Sequence, residues 1–205
     1  MKILAVGMNY LAHTKELEHT DVMPEEPVLF MKPDSALLKD GKPFFIPDFS
    51  QNVHYETELV VRICRLGENI SERFACRYYD AVTVGIDFTA RDIQSRLRGE
   101  GKPWLLSKGF DGSATIGEFV PMEKLDGIQN LHFHLDIDGQ TVQNGYSGDM
   151  HYSVDQIIAF ASRYFTLKIG DLIYTGTPAG VGPVKIDQHL QGYLGEEKVL
   201  DFYVR

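Results

Sequence analysis

Cysteine is scarce in this chain, and long apolar runs are missing. Only Cys64 and Cys76 occur among 205 residues, and they form no CxxC pair, which is typical of a protein from a reducing compartment. The apolar run at residues 3–6 is much shorter than the core of a signal peptide or a membrane span. We therefore expect no disulfide framework, no membrane partner and a cytoplasmic location.

An excess of basic residues is also missing. The chain has 20 Lys and Arg against 29 Asp and Glu, a formal net charge of -9. A nucleic-acid partner is disfavoured, since proteins that bind phosphate backbones concentrate Lys and Arg. The 43% hydrophobic content, without repeats or a linker, is that of an ordinary globular protein. We expect a single domain over 1–205.

Hydrophobic alternation and turn residues predict a mainly β chain with a few short helices. Strands are expected over 2–6, 55–65, 81–87, 131–137, 141–143, 172–174 and 199–204. Helices are expected over 10–18 and 71–79. Two more helices are expected where Thr89 with Asp92 and Ser153 with Gln156 form capping boxes. Asp138-Gly139 indicates a tight hairpin. The fold class is therefore α+β, predominantly β, and the irregular order disfavours a doubly wound sheet.

Glu56 and Glu58 lie on one face of the strand predicted over 55–65. Their Cα atoms would be roughly 7 Å apart, so both carboxylates could reach one ion. Taken alone, such a pair is better explained by a solvated strand face, because charged residues are almost always exposed. Asp87 favours the ion-binding interpretation, because it ends an apolar strand where a carboxylate has no packing role. Three carboxylates favour Mg²⁺, Mn²⁺ or Ca²⁺ over Zn²⁺.

Three further features each have a functional interpretation and a purely structural one. His13 and Glu16 are three residues apart on a predicted helix, where the carboxylate could orient the imidazole, although such a pair is more often solvated. Lys108 could stabilise an enolate or oxyanion, although most lysines are surface residues. The glycine-rich segment 175–182 lacks the phosphate-loop and dinucleotide patterns and is either a tight turn or a cradle for a carboxylate.

Taken together, several spaced motifs resemble the fumarylacetoacetate hydrolase family over almost the whole chain. They are GMNY at 7–10 followed by His13 and Glu16, FMKP at 30–33, ETEL at 56–59, GID at 85–87, ARDIQ at 90–94, GKPW at 101–104, KGFD at 108–111 and LIYTGTPAG at 172–180. Met8 departs from the pattern, since relatives often have a basic residue there. Gly112-Ser113-Ala114 also departs, where many relatives have a bulkier run. Both departures concern the substrate.

The resemblance implies a mixed β-sandwich or roll, usually dimeric, without the separate N-terminal domain of the long family members. It implies that Glu56, Glu58 and Asp87 bind Mg²⁺ or Mn²⁺, with Ca²⁺ as a substitute. It also implies a water-activating His13–Glu16 dyad on a lid-like segment and Lys108 in the site. Arg91, Gln94 and Thr177 would face the substrate. The expected partners are a small 2-oxo acid and a second copy of the chain.

The leading hypothesis from the sequence is hydrolytic C–C cleavage of an acylpyruvate, with release of pyruvate as its enolate. The first alternative is decarboxylation or keto–enol tautomerisation of oxaloacetate. A second is isomerisation of 2-hydroxyhepta-2,4-diene-1,7-dioate. All three need the same enolate stabilisation, so the motifs do not separate them. A non-catalytic protein that binds a metal or an oxo acid is the alternative from a different class.

Overall fold

The fold was analysed in a computed structural model that describes residues 1–18 and 22–205, without the side chains of residues 17 and 18. The strands are β1 Ile3–Gly7, β2 Val28–Lys32, β3 Leu37–Leu38, β4 Val53–Tyr55, β5 Thr57–Ile63, β6 Tyr79–Asp87, β7 Thr89–Ala90, β8 Ala114–Ile116, β9 Val120–Pro121, β10 His132–Ile137, β11 Gln140–Tyr146, β12 Leu172–Tyr174, β13 Gly182–Pro183, β14 His189–Leu194 and β15 Glu197–Tyr203. The helices are α1 Leu11–Glu18, α2 Glu72–Ala75, α3 Arg91–Gly99, α4 Leu105–Lys108 and α5 Val154–Ala161, with 3-10 turns at Asp34–Ala36, Met122–Lys124 and Ser147–Asp149.

One large mixed sheet forms the centre of the molecule. Its strand order is β2-β1-β12-β5-β6-β8-β3, and β9 also pairs with β6. The β1–β12 and β3–β8 pairs are parallel, whereas β5–β6 is antiparallel. The strand β1 and residues 59–61 of β5 are apolar on both faces, because this part of the sheet is covered on both sides. Leu59 and Val61 face one core, and Val60 faces another.

Two smaller sheets complete the β architecture. A four-stranded sheet has the order β11-β10-β14-β15, and a three-stranded sheet has the order β13-β4-β7. A core between the four-stranded sheet and the end of β6 contains Leu135, Phe202 and Phe88. The predominantly β fold class with a few short helices is confirmed, and the sheet order is not that of a doubly wound fold. Among the described residues, no helix is long and apolar enough to cross a membrane.

Most predicted elements are confirmed within two residues of their expected ends. The strand over 172–174 is observed as β12, and Ser153 with Gln156 forms a complete capping box at the start of α5. The hairpin turn is also confirmed, since Asp138 and Gly139 have φ angles of 51° and 78°, the left-handed values of a type I′ turn. The strand β14 was missed by the sequence analysis.

Three local predictions were wrong. Helix 71–79 shrinks to α2, because the chain enters β6 already at Tyr79. The strand expected over 55–65 is interrupted at Glu56, between β4 and β5. Thr89 does not cap α3, whose N-cap is Ala90 without a side-chain bond. The Asp92 carboxylate instead accepts hydrogen bonds from the Ser50 hydroxyl and the Gln51 backbone N–H.

Candidate active site

The strand pair β5–β6 brings the three predicted carboxylates together. The backbone N–H of Asp87 donates to the carbonyl of Glu56 at 2.8 Å, so the two residues lie opposite each other at the end of the pair. Glu58 is paired with Gly85 in the same ladder. A Cβ on Gly85 would lie 2.4 Å from the Thr115 carbonyl oxygen, so only glycine fits beside Glu58.

All three carboxylates are buried, which rules out the solvated strand face. Glu56 is 5% exposed, Glu58 2% and Asp87 0%. One carboxylate oxygen from each residue lies within 4.8 Å of the others. Buried carboxylates are normally paired with cations or coordinate metals, because desolvation of an isolated charge is costly. The surroundings of each carboxylate therefore decide what this cluster can do.

Lys108 links two of the carboxylates. Its Nζ lies 2.6 Å from Glu56 Oε2, 2.6 Å from Asp87 Oδ2 and 2.6 Å from Thr89 Oγ1, which engages all three ammonium protons. The ammonium also lies 5.2 Å from the centre of the Phe30 ring. The structure thus places Lys108 in the carboxylate cluster, as the family resemblance implied. The hydroxyl of Thr89, expected at a helix cap, serves this ammonium instead.

Lys32 is a second buried cation at the cluster, and the sequence analysis assigned it no role. Its Nζ lies 2.6 Å from Asp87 Oδ1 and donates to the Ser113 carbonyl and hydroxyl oxygens at 3.0 Å. It also donates to the backbone carbonyl of Lys108. The FMKP segment could have indicated this role. A lysine at the end of an apolar strand is rarely buried unless it is paired with an opposite charge.

Helix α3 brings two of the predicted substrate-facing residues to the cluster. Arg91 donates through one guanidinium nitrogen to Glu56 Oε1 and through the other to Gln94 Oε1 at 2.5 Å. Its Nε is buried without a hydrogen-bond partner among the described residues. Arg91 therefore holds a carboxylate of the cluster in addition to lining the pocket. Gln94 is buried and lines the pocket from the next turn of the helix.

Helix α1 places His13 at the pocket and Glu16 at its edge. A solvated pair was the alternative interpretation, but His13 is buried, whereas Glu16 is exposed. His13 Nδ1 lies 3.6 Å from Glu16 Oε2 and makes no hydrogen bond with the described residues. Both Glu16 carboxylate oxygens instead accept from the backbone N–H of Gly180, at 3.1 and 3.3 Å. The predicted pair is therefore close in space without a direct hydrogen bond.

The segment after β12 closes the other side of the pocket. The backbone N–H of Gly176 donates to Glu58 Oε2 at 2.7 Å. The Thr177 hydroxyl lines the pocket and accepts from Gln143 Nε2 at 2.9 Å. Gly176 has a φ of 98°, and a Cβ there would lie 2.7 Å from Asn9 Cβ. This segment is thus a tight turn whose N–H supports a carboxylate of the protein.

Burial and charge shift the titration of the cluster. Burial opposes ionisation of Glu56, but Lys108 and Arg91 outweigh it and hold the pKa of this carboxyl below its usual range. Burial, with Asp87 and Glu56 as neighbours, raises the pKa of Glu58 well above its usual value. Burial also lowers the pKa of His13. The imidazole is therefore neutral at neutral pH and can take up a proton.

Glu58 shows that a divalent cation fits the cluster. It forms no ion pair with the described residues, whereas Glu56 and Asp87 each contact an ammonium or guanidinium group. Ionisation of Glu58 would therefore place an uncompensated charge beside two other carboxylates in a buried site, and a bound cation would offset that charge. The donor set contains only oxygen, which suits hard cations such as Mg²⁺ and Mn²⁺. The three residues could hold a metal ion.

A single pocket joins these groups, so the structure brings together all the predicted site residues except Glu16, which lies beside His13. The pocket is lined by Val6, Gly7, Met8, His13, Thr14, Phe30, Glu56, Glu58, Asp87, Arg91, Gln94, Arg98, Trp104, Lys108 and Thr177. Sequence analysis missed the wall of Phe30 and Trp104, whose rings meet edge to face with centroids 5.9 Å apart. It also missed Arg98.

The mainly β fold and its buried acidic pocket define an enzyme with a site that could hold a metal ion. The model of the fumarylacetoacetate (FAA) hydrolase C-terminal family matches residues 2–202, and the chain belongs to this family. An oxaloacetate tautomerase, mitochondrial, of Bos taurus is 39% identical over 189 residues, which cover 92% of this chain and 85% of the relative. An oxaloacetate decarboxylase, mitochondrial, of Dictyostelium discoideum is 39% identical over 203 residues, covering 98% and 92%.

A solved structure extends the comparison to a hydrolase. Fumarylpyruvate hydrolase from Pseudomonas aeruginosa, in complex with Mn²⁺ and pyruvate, superposes with a TM-score of 0.93 at 34% identity. The match covers 100% of this chain and 89% of that chain. Between these relatives, the curated oxaloacetate enzymes favour the alternative interpretation of the sequence over acylpyruvate hydrolysis, which the sequence analysis placed first.

Proposed function

We propose that this chain catalyses keto–enol tautomerisation of a small 2-oxo diacid, with oxaloacetate as the substrate. The relatives named as oxaloacetate enzymes support the substrate, at 39% identity over most of the chain. The pocket supports the reaction type, because it combines a buried carboxylate cluster, a lysine and a neutral imidazole in one cavity. Enolate formation needs a proton carrier and stabilisation of negative charge, and these groups supply both.

The geometry of His13 and Glu16 favours tautomerisation over hydrolysis. Hydrolysis needs an imidazole that is oriented by its carboxylate and activates a water molecule. Here the Glu16 carboxylate is bound to the Gly180 N–H and does not hydrogen-bond to His13. A single neutral imidazole is enough for tautomerisation, since that reaction only moves one proton between carbon and oxygen.

In the proposed step, His13 takes the proton from C3 of the keto acid. The C3–H electron pair forms the C2=C3 bond, and the C2 carbonyl electrons move onto the keto oxygen. The His13 imidazolium then gives its proton to that oxygen, which forms the enol, and the reverse sequence returns the keto form. The Thr177 hydroxyl and the Gln94 amide lie in the pocket wall and would orient the acid. Lys108 adds positive charge near the enolate oxygen.

A divalent cation held by Glu56, Glu58 and Asp87 would supply Lewis-acid stabilisation of the negative charge on the 2-oxo acid. Mg²⁺ or Mn²⁺ suits the all-oxygen donor set, and Mn²⁺ is named for the similar fumarylpyruvate hydrolase. Arg91 and Lys108 would keep Glu56 ionised and in place for this role. Assembly as a homodimer remains a prediction.

The test is an assay of the purified protein after chelation and re-addition of Mg²⁺ or Mn²⁺. Loss of the enol absorbance of oxaloacetate reports tautomerisation, and lactate dehydrogenase coupling reports pyruvate from decarboxylation. We expect a cation-dependent rate above the blank containing only the metal ion, and its loss in Glu58→Gln and His13→Ala. His132→Gln, at an exposed histidine on β10, is the control. Full activity in Glu58→Gln would overturn the site assignment.

Hydrolysis of an acylpyruvate is the second candidate, favoured by the similarity to fumarylpyruvate hydrolase. The same protein should then release pyruvate from fumarylpyruvate or acetylpyruvate faster than it tautomerises oxaloacetate. His13→Ala separates the mechanisms. Loss of hydrolysis with retained tautomerisation would assign His13 to water activation and would contradict its proposed role in proton transfer.

A further inference from the structure

Gln143 is a buried polar residue behind the pocket, and the sequence analysis did not include it in the site. It lies on β11 of the four-stranded sheet and is 2% exposed. Its Oε1 atom accepts a hydrogen bond from the backbone N–H of Thr57 at 2.9 Å. Its Nε2 atom donates to the Pro178 carbonyl and to the Thr177 hydroxyl oxygen, each at 2.9 Å. The amide therefore uses its oxygen and both of its protons inside the protein.

Thr177, one of these partners, lies directly beside the carboxylate cluster. The N–H of the preceding residue, Gly176, donates to Glu58 Oε2 at 2.7 Å. Consecutive Cα atoms are about 3.8 Å apart, so Thr177 is one residue away from that contact. Thr177 also lines the pocket together with Glu58, Asp87 and Lys108. A 2-oxo acid bound at the cluster would therefore lie next to Thr177.

Two backbone groups determine which way the Gln143 amide faces. The Thr57 N–H can only donate a hydrogen bond, and the Pro178 carbonyl can only accept one. The amide oxygen must therefore face Thr57, and the amide NH₂ group must face Pro178. One amide proton goes to the Pro178 carbonyl, which leaves the other directed at Thr177 Oγ1. A rotated amide would place two donors together at Thr57 and two acceptors together at Pro178.

The orientation of the amide in turn determines the role of the Thr177 hydroxyl. A hydroxyl has one proton and can both donate and accept. Because its oxygen accepts from Gln143, its proton must point to another acceptor. The Pro178 carbonyl is 3.4 Å away, longer than an ordinary O–H···O hydrogen bond, and it already accepts from Gln143. The carboxylate of a bound acid is a better acceptor, since it is charged and has no proton to donate.

We propose that Gln143 is a positioning residue, which holds the Thr177 hydroxyl as a hydrogen-bond donor to the carboxylate of the bound 2-oxo acid. The inference rests on the proposed function and adds a residue that acts on the substrate through Thr177. Gln143 acts from behind the described pocket lining, to which Thr177 belongs. Its loss should therefore weaken substrate binding only while the Thr177 hydroxyl is present.

A double-mutant cycle tests this dependence. The proteins compared are the wild type, Gln143→Met, Thr177→Val and the variant with both changes. Methionine keeps the length of the side chain without its hydrogen bonds, and valine replaces the hydroxyl by a methyl group. KM and kcat for oxaloacetate are measured by the enol absorbance with Mn²⁺. Gln140→Met is the matched control, because Gln140 is an exposed glutamine on the same strand.

We expect Thr177→Val to raise KM about tenfold, the size of a hydrogen bond to a charged group, and to change kcat less. Gln143→Met should raise KM about fivefold with Thr177 in place, but less than about twofold in the Thr177→Val background. Gln140→Met should leave both constants unchanged. An equal rise of KM in the two backgrounds, or an unchanged KM in Gln143→Met or Thr177→Val, would overturn the assignment of Gln143.

If Gln143→Met does not fold, Gln143→Glu replaces it in the cycle. Glutamate keeps the length of the side chain and an acceptor for the Thr57 N–H, but an ionised carboxylate cannot donate to Thr177 Oγ1. Its added charge acts on the substrate in both backgrounds and cancels in the cycle. We expect the larger rise of KM with Thr177 in place, and equal rises would again contradict the proposal.

Failure of the proposed function gives a different result. Pyruvate and Mn²⁺ are named in the complex of the similar fumarylpyruvate hydrolase, so calorimetric titration with pyruvate in the presence of Mn²⁺ measures the carboxylate contact without turnover. If the wild type does not turn over oxaloacetate, the proposed function fails and pyruvate binding tests Gln143 alone. Its role is supported if Gln143→Met weakens pyruvate binding only with Thr177 in place. Equal weakening in both backgrounds, or no binding of pyruvate by the wild type, would then rule it out.

Discussion

The ammonium of Lys32 lies 2.6 Å from Asp87 Oδ1, and both side chains are almost completely buried. Lys108 approaches the other oxygen of the same carboxylate at 2.6 Å. Asp87 is thus held between two cations that come from different parts of the chain. The arrangement positions a proposed metal ligand through electrostatics and hydrogen bonds, and it makes Lys32 a structural member of the site.

Replacement of Lys32 by methionine should therefore destabilise the protein. The change leaves part of the Asp87 charge unpaired in the interior, which costs about 3 kcal/mol of unfolding free energy. Urea denaturation of the chelator-treated protein measures the loss. Lys39→Met, at an exposed lysine, is the matched control and should change stability by less than about 0.5 kcal/mol. Equal effects of the two substitutions would contradict the buried ion pair.

Replacement of Glu58 by glutamine should stabilise the metal-free protein while it weakens cation binding. The amide keeps an acceptor for the Gly176 N–H and removes the repulsion from Asp87 and Glu56. Thermal unfolding in chelator should show a higher midpoint for Glu58→Gln, and the rise in midpoint on adding Mn²⁺ should shrink. If Glu58→Gln has a lower unfolding midpoint than the wild type in chelator, Glu58 is not destabilised by repulsion from Asp87 and Glu56.

The same substitution gives a pH signature with a defined sign. The pKa of Glu58 is raised in the folded state, so the carboxyl favours folding below its ordinary value of 4.5. That contribution is lost as the pH rises from this value through the raised pKa. In chelator, the stability advantage of Glu58→Gln over the wild type should therefore grow with pH over this window. Unfolding free energies at several pH values check the slope, and a constant difference would contradict it.

The fall in kcat/KM at low pH, the acid limb of the pH profile, should report the protonation of His13. Burial lowers the pKa of His13 from its ordinary value of 6.5, and Glu56 and Glu16 act in the opposite direction. If His13 is the proton acceptor, kcat/KM falls only below pH 6.5, where the imidazole becomes protonated. Glu16→Gln removes a negative neighbour and should move this limb to lower pH. Glu72→Gln on α2 is the control. If the fall in kcat/KM occurs at the same pH in Glu16→Gln as in the wild type, Glu16 does not influence the protonation of His13.

Asn9 should couple the position of α1 to the site. It is buried, donates to the carbonyls of Thr175 and Tyr152 at 2.8 and 3.0 Å, and accepts from the Tyr152 N–H at 2.8 Å. Asn9→Ala should cost about 3 kcal/mol of unfolding free energy, because a buried and a partly buried carbonyl lose their donor. Asn9→Asp keeps the volume but not the donors and should lose as much. The exposed Asn144→Ala is the control for both.

The three carboxylates of the site could be predicted from the sequence, because strand alternation and family motifs both point to them. Their environment could not be found in this way. Lys32 is 76 positions from the Lys108 carbonyl that it contacts, and no local pattern predicts that contact. The same limit explains the wrong capping box, since Thr89 and Asp92 have the right spacing but bind Lys108 and the 50–51 segment instead. Long-range pairing overrides local preference in these cases.

The position of β12 has a consequence for how the molecule is made. This strand lies between β1 and β5, so Ile3 pairs with Leu172, and Leu172 pairs in turn with Arg62. Ile3 also pairs with Lys32 of β2, so the β1–β2 pair can join the rest of the sheet only after residues 172–174 have been synthesised. Contacts of such sequence separation form slowly and expose unpaired edges in the meantime. Because Gly176 follows directly after β12, the Glu58 carboxylate gains its backbone hydrogen bond only after this strand has been synthesised.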